Sequence, residues 1–146
     1  MAADPRQPGM PWLTPYLTVR DPKKSLAFYK KAFGFESMGV MKDKGKIVHA
    51  GMSYKKLCVL MMSPEGAFGS LSRAPKTLKV KPSEAHYIYV DDVDKTYANA
   101  MKAGARSVMK PEDAYWGDRH AAVDDPDGYR WALAKKLPKS RVPKQK

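Results

Sequence analysis

Tyr16-Leu17-Thr18-Val19-Arg20-Asp21 is the stretch that decides the fold, because Tyr87-Ile88-Tyr89-Val90-Asp91-Asp92 repeats its pattern 71 residues later. The same offset carries Lys24 to Lys95, Ala27 to Ala98, Lys31 to Lys102, Ala32 to Ala103 and His49-Ala50 to His120-Ala121. Small slips then set Gly34 against Gly104 and Leu60 against Leu133. A long period met only twice is not a solenoid, which needs several stacked units. It describes two copies of one supersecondary module sharing a core. Two similar half-sheets are expected to face each other across a cavity, and function is sought there.

Working outward, Tyr16 to Val19 reads as a strand ended by Asp21-Pro22, where Asp caps a helix and Pro fits its first turn. Pro22, Leu26, Tyr29 and Phe33 recur at helical spacing and Gly34 closes the helix. Strands are expected at 35–41, 47–54 and 57–62, with turns at Asp43-Lys44-Gly45 and Lys55. The second copy starts near Ala85, is capped by Asp91 or Asp92, and places Val93, Tyr97, Ala100 and Met101 on one helical face before Gly104. Its further strands are expected at 106–109, 119–124 and 129–134, with Asp125-Pro126-Asp127-Gly128 as the turn. Each module is βαβββ, an α+β pattern. The division is a lead-in over 1–11, one domain over 12–136 and a basic tail over 137–146. Within the domain, modules at 12–62 and 85–136 flank a connection at 63–84.

The chain has 146 residues, 43% of them hydrophobic, which allows one substantial core. No apolar run approaches the roughly 18 residues of a membrane span, and Met1 to Pro11 lacks a signal-peptide pattern, so a cytoplasmic protein without a membrane partner is expected. Cys58 is the only cysteine, and its apolar neighbours Leu57 and Val59 indicate a buried thiol rather than a redox centre. The net charge is +12, and half of it lies on Lys135, Lys136, Lys139, Arg141, Lys144 and Lys146. Pro138 and Pro143 make this segment an expected disordered, solvated extension. The rest carries no recognition-helix, zinc-finger or RNA-binding signature, so no specific nucleic-acid partner is expected.

The duplicated unit, with Ser25-Leu26-Ala27-Phe28-Tyr29, Phe33-Gly34-Phe35, Trp116-Gly117-Asp118-Arg119 and Asp125-Pro126-Asp127-Gly128-Tyr129, resembles the vicinal oxygen chelate superfamily. That group includes glyoxalase I, extradiol dioxygenases and bleomycin-resistance binding proteins. The resemblance covers about residues 12–136 and implies two tandem βαβββ modules forming a half-barrel cleft. It also implies metal ligands near the start of the first strand and on the last strand of each module. Those positions hold Thr14, Val59, Ala85 and Ala132 here, a set with no strong donor, so no metal or other cofactor is expected. By analogy with the family, a homodimer is expected.

If those four positions face inward, period two turns Tyr16, Thr18, Met61, Tyr87, Tyr89, Arg130 and Ala134 the same way. Tyrosine rings, a thioether and a guanidinium suit a planar ligand and its hydrogen-bonding edges. His49 and His120 are pseudo-symmetric candidates for polar contacts, and Val59 lines the same face. Trp116 and Arg119 are candidates for the rim, with an internal ion pair as the alternative role of Asp118 and Arg119. His86 is expected on the opposite face. The aspartates at 91, 92 and 94 read as capping, and those at 124, 125 and 127 as a turn without EF-hand spacing. No nucleophile elbow or phosphate loop is visible. The expected function is metal-independent binding, for sequestration or sensing, of a small planar neutral or anionic molecule. The alternative is a metal-dependent lyase, isomerase or dioxygenase with non-standard ligands such as His49 and His120. Members that sequester cationic bleomycin use acidic clefts, and the charge of +6 outside the tail argues against such a ligand.

Overall fold

A computed structural model describes residues 2–146 and resolves eight strands and three helices into two four-stranded mixed sheets. The first compact unit comprises the residues up to Lys30 together with Gly34–Ala74; the second comprises Lys31–Phe33 and Pro75–Lys146. The boundary at Ala74 falls inside the connection read from the sequence. The fold is α+β with no closed barrel.

In the first unit, β1 (Tyr16–Val19), α1 (Pro22–Phe33), β2 (Glu36–Asp43), β3 (Lys46–Tyr54) and β4 (Leu57–Pro64) follow in order, and the sheet runs β1-β4-β3-β2. Only β1 and β4 are parallel, with Tyr16 beside Met61. Asp21 starts α1 by accepting the N–H groups of Lys23 at 3.0 Å and Lys24 at 3.2 Å, orphan donors of the first turn. Gly34 ends it in the left-handed conformation, φ 72°. Leu17, Val19, Ala50, Met52, Cys58, Leu60 and Met62 are buried, while Tyr16, Thr18, His49, Val59 and Met61 are half-buried or exposed. Period two therefore separates a core face from an accessible one. Tyr29 stacks on Phe35 at 6.0 Å, and Phe35 meets Tyr54 at 5.5 Å.

The second unit adds α2 (Pro75–Leu78), β5 (Ala85–Tyr89), α3 (Val93–Lys102), β6 (Arg106–Asp113), β7 (Asp118–Asp124) and β8 (Arg130–Lys136). Its sheet, β5-β8-β7-β6, repeats the first strand for strand. Asp92, not Asp91, caps α3 through the N–H of Lys95 at 3.0 Å. Val93 and Ala100 are buried, as are Ala121, Val123, Trp131 and Leu133, and α3 packs on β6, β7 and β8. Tyr97 and Met101, expected on the buried helical face, are only partly covered. Asp125 organises the following turn: its Oδ1 accepts the N–H groups of Asp127 and Tyr129, both at 3.0 Å, and its Oδ2 accepts the Trp131 indole N–H at 3.0 Å. Gly128 is required there, because φ is +91° and a Cβ would lie 3.1 Å from both Lys76 N and Pro75 Cβ.

Several strands outrun their apolar patterns, since ladder pairing uses backbone groups and continues through polar residues. β2 thus extends to Asp43, β4 to Pro64, β6 to Asp113 and β8 to Lys136. The charged end of the chain also departs from the expected disordered extension. Lys135 and Lys136 finish β8, Leu137 is buried with its N–H on Gly117 O at 2.8 Å, and Arg141 pairs with Asp113 at 2.7 Å. A buried leucine and a guanidinium clip hold the segment that its prolines had suggested would be unstructured. No described helix is long and apolar enough to cross a membrane.

His86 lies on the face opposite Tyr87, packed against Trp131 at 4.9 Å. Burial lowers its pKa below the ordinary 6.5, and the nearby Glu84 offsets this only in part. The fold thus favours the neutral ring, so its stabilising contribution is present above pH ~6.5 and is lost as pH falls through the depressed value. Thermal unfolding of the wild type at pH 7.5 and 5.5 is expected to show an acid loss that His86→Phe reduces. An identical acid loss in the variant would refute this role.

Candidate functional site

The accessible face of the first unit carries a short hydrogen-bonded relay. Ser63 Oγ donates to Tyr16 Oη at 3.0 Å, and Tyr16 Oη is hydrogen-bonded to His49 Nδ1 at 2.6 Å. The two rings meet at 5.5 Å. Parallel pairing of β1 with β4 sets Thr18 beside Ser63, and antiparallel pairing of β3 with β4 sets Gly51 beside Met61. His49 Nδ1 thus finds its partner within its own module. Ser63 was missed by the sequence reading because the strand, expected to end at Met62, runs two residues further to Pro64. Val59 and Met61 line the same face, half-buried.

Thr14 departs from the expected inward direction. Pro15 interrupts the alternation before β1, and the Thr14 hydroxyl engages the thiol of Cys58 on the buried face. Burial pushes that thiol's pKa up, against the opposing pull of Leu60 O and Thr14.

The second unit assembles the larger constellation. Tyr87 and Tyr89 both donate to Asp118 Oδ2, at 2.8 and 3.0 Å, and the Trp116 indole N–H donates to Tyr87 Oη at 3.2 Å. Asp118 is only 7% exposed, whereas Tyr87, Tyr89 and Trp116 remain 48%, 58% and 52% exposed. One buried carboxylate thus holds open aromatic surfaces by their polar ends. Burial raises the Tyr87 pKa, the Asp118 carboxylate adds to this, and for Tyr89 the hydrogen bond to Asp118 is the leading cause of the rise. Both phenols stay protonated donors. His120 is 7% exposed, beneath the Trp116 ring at 4.6 Å, and faces Glu112 across the β6–β7 pair.

The two arginines named from sequence are committed elsewhere. Arg119 turns to the α3 side, gripping Asp94 through Nε at 2.6 Å and Nη2 at 2.7 Å, and Asp113 through Nη1 at 2.8 Å. Adjacent strand residues point to opposite faces, so Arg119 and His120 do not share one. The Arg119 hydrogen bonds hold the Asp94 and Asp113 carboxyls below the usual range. The alternative foreseen for Arg119, an internal ion pair, is the one formed, with Asp94 and Asp113 in place of Asp118. Arg130 stands on the tyrosine face but pairs with Asp124 at 2.9 Å, its cross-strand partner, which Arg106 also meets at 2.7 Å. Burial raises the Asp124 carboxyl, and the bonds from Arg130 and Arg106 outweigh it and hold the pKa low.

The donor chemistry does not fit a divalent cation at the positions implied by the resemblance. Val59, Ala85 and Ala132 offer no donor, Thr14 is directed to Cys58, and among the described residues no three His, Cys, Asp or Glu side chains gather to hold a metal.

Residues 9–133 match the sequence model of the Glyoxalase/Bleomycin resistance protein/Dioxygenase superfamily. Uncharacterized proteins of Mycobacterium bovis and Mycobacterium tuberculosis are 36% identical over 125 residues, covering 84% of this chain and 82% and 73% of theirs. The fold is similar to crystal structures of TioX from a Micromonospora species and of a glyoxalase/bleomycin resistance protein/dioxygenase family enzyme from Burkholderia phytofirmans. TioX gives a TM-score of 0.67 at 25% identity, covering 86% of this chain and 98% of that one. The Burkholderia protein gives 0.64 at 20%, covering 90% and 100%.

Proposed function

The chain belongs to the Glyoxalase/Bleomycin resistance protein/Dioxygenase superfamily, and on that premise we propose that it binds a small planar molecule without a metal, for sequestration or sensing. The observation that carries the reading is the trio Tyr87, Tyr89 and Trp116, half-exposed yet tethered through Asp118. Large aromatic surface held in place loses little further entropy when a ring stacks on it. The anionic preference loses support, because the guanidinium of Arg130 is already engaged by Asp124. A homodimer resident in the cytoplasm is part of the same proposal, and light scattering giving a single 16.3 kDa species would refute the dimer.

The test combines elemental analysis of natively purified protein with a screen of planar aromatic compounds read by tryptophan emission. Little bound divalent metal is expected, and Tyr89→Ala should weaken hits roughly tenfold, since an aromatic contact contributes about 0.5–1.5 kcal/mol beyond its burial. Near-stoichiometric zinc, iron, nickel or manganese would favour the enzyme reading. Absence of binders, or hits indifferent to Tyr89→Ala, would sink the binding assignment.

A further inference from the structure

His120 Nε2 is the one buried side-chain nitrogen or oxygen without a hydrogen-bond partner among the described residues. Such an atom gives up its solvation with no hydrogen bond in return, so its retention calls for an explanation. Glu112 Oε1 lies 3.6 Å away, beyond hydrogen-bonding reach. In the Nδ1–H tautomer Nε2 is itself an acceptor and faces the Glu112 carboxylate across a gap that lacks a donor; in the Nε2–H tautomer the N–H faces Glu112 from beyond bonding distance.

The surroundings define what would fill that gap. Glu112 is exposed and Trp116 is half-exposed, so an incoming group displaces solvated side chains rather than core. The Trp116 ring lies 4.6 Å from the imidazole and provides a stacking surface directly beside the gap. The hydroxyls of Tyr87 and Tyr89 are spent on Asp118, and the guanidinium groups of Arg119 and Arg130 are spent on other aspartates. Acceptors and π-faces therefore stand immediately around the gap, with no uncommitted arginine among them; the exposed Lys136, cross-strand partner of Asp118, is the cation on this face.

We propose that this site takes a planar aromatic amidine or amino-substituted nitrogen heterocycle, whose N–H edge donates to His120 Nε2 and Glu112 while its ring stacks on Trp116. The inference rests on the binding function proposed above and specifies its ligand class, reversing the charge preference drawn from net charge and Arg130. Local carboxylates and rings decide recognition at contact distance, whereas exposed charges elsewhere are screened within about 10 Å.

Benzamidine and benzoate present the same ring with opposite edges, and calorimetry or NMR titration of the full chain compares them directly. Benzamidine is expected to bind at least tenfold more tightly and to shift the His120 Nε2 resonance. Glu112→Gln, a change at an exposed side chain, should remove about tenfold of its affinity, and Trp116→Ala should weaken both probes. Benzoate binding as well as benzamidine, with Trp116 dependence intact, overturns the ligand class and leaves the binding function standing. Equal benzamidine affinity in Glu112→Gln, or an unmoved Nε2 resonance, also overturns it. If neither probe binds, both the inference and the function beneath it fail.

Discussion

Trp131→Ala is expected to cost about 3–5 kcal/mol in urea unfolding, a large share of a typical domain's 5–15 kcal/mol. Trp131 is 1% exposed, and its ring packs against His86. Its indole N–H also fills Asp125 Oδ2, whose other oxygen ties the Asp127 and Tyr129 amides. Alanine would open a cavity and strand a buried acceptor at once. Trp131→Phe should recover much of the packing while still leaving Asp125 short of a donor, so an intermediate loss is expected. An alanine variant within 1 kcal/mol of wild type would show that neither contact stabilises the fold.

Asp118→Ala is expected to produce the largest loss of ligand affinity. Freeing Tyr87 and Tyr89 returns their conformational entropy, at about 0.5–1.5 kcal/mol for each side chain that binding must then order, a roughly 5- to 150-fold weakening for the pair. A second readout needs no ligand. Asp118 raises the pKa of both phenols, so their spectrophotometric titration should move down toward the ordinary value of 10 in the variant. Unchanged phenol titration would mean that the carboxylate does not hold these rings, and the tethered platform would then be the wrong description.

Much of the fold was legible because its signals are local. The Asp21 cap, Pro22 at the first helical position, Gly34 in the left-handed conformation and the Asp125–Gly128 turn follow short-range rules. Strand alternation correctly gathered Tyr87, Tyr89 and Ala132 on one face, and it turned His86 to the other. The same rule, applied consistently, excludes Arg119 from the face of His120 and includes Asp118, two residues away, so the central carboxylate was within reach of the sequence. The Arg130–Asp124 pair was harder, because it depends on exact hairpin register across the turn. The orphan state of His120 Nε2 depends on side-chain placement in three dimensions, for which residue order carries no signal.

The two inherited tyrosine–histidine sets have reached different ends. In the first module the pair closes on itself, Tyr16 to His49; in the second, Tyr87 is drawn to Asp118, and His120 keeps an unanswered nitrogen. At the 71-residue offset, Asp118 and Trp116 correspond to Ile47 and Gly45. In an assembly of two identical modules every substitution appears twice, and a Trp that benefits one site burdens the other. Fusion into a single polypeptide lifts that coupling. One copy is then able to keep a self-contained arrangement while its twin explores new chemistry, and specificity evolves as a difference between halves.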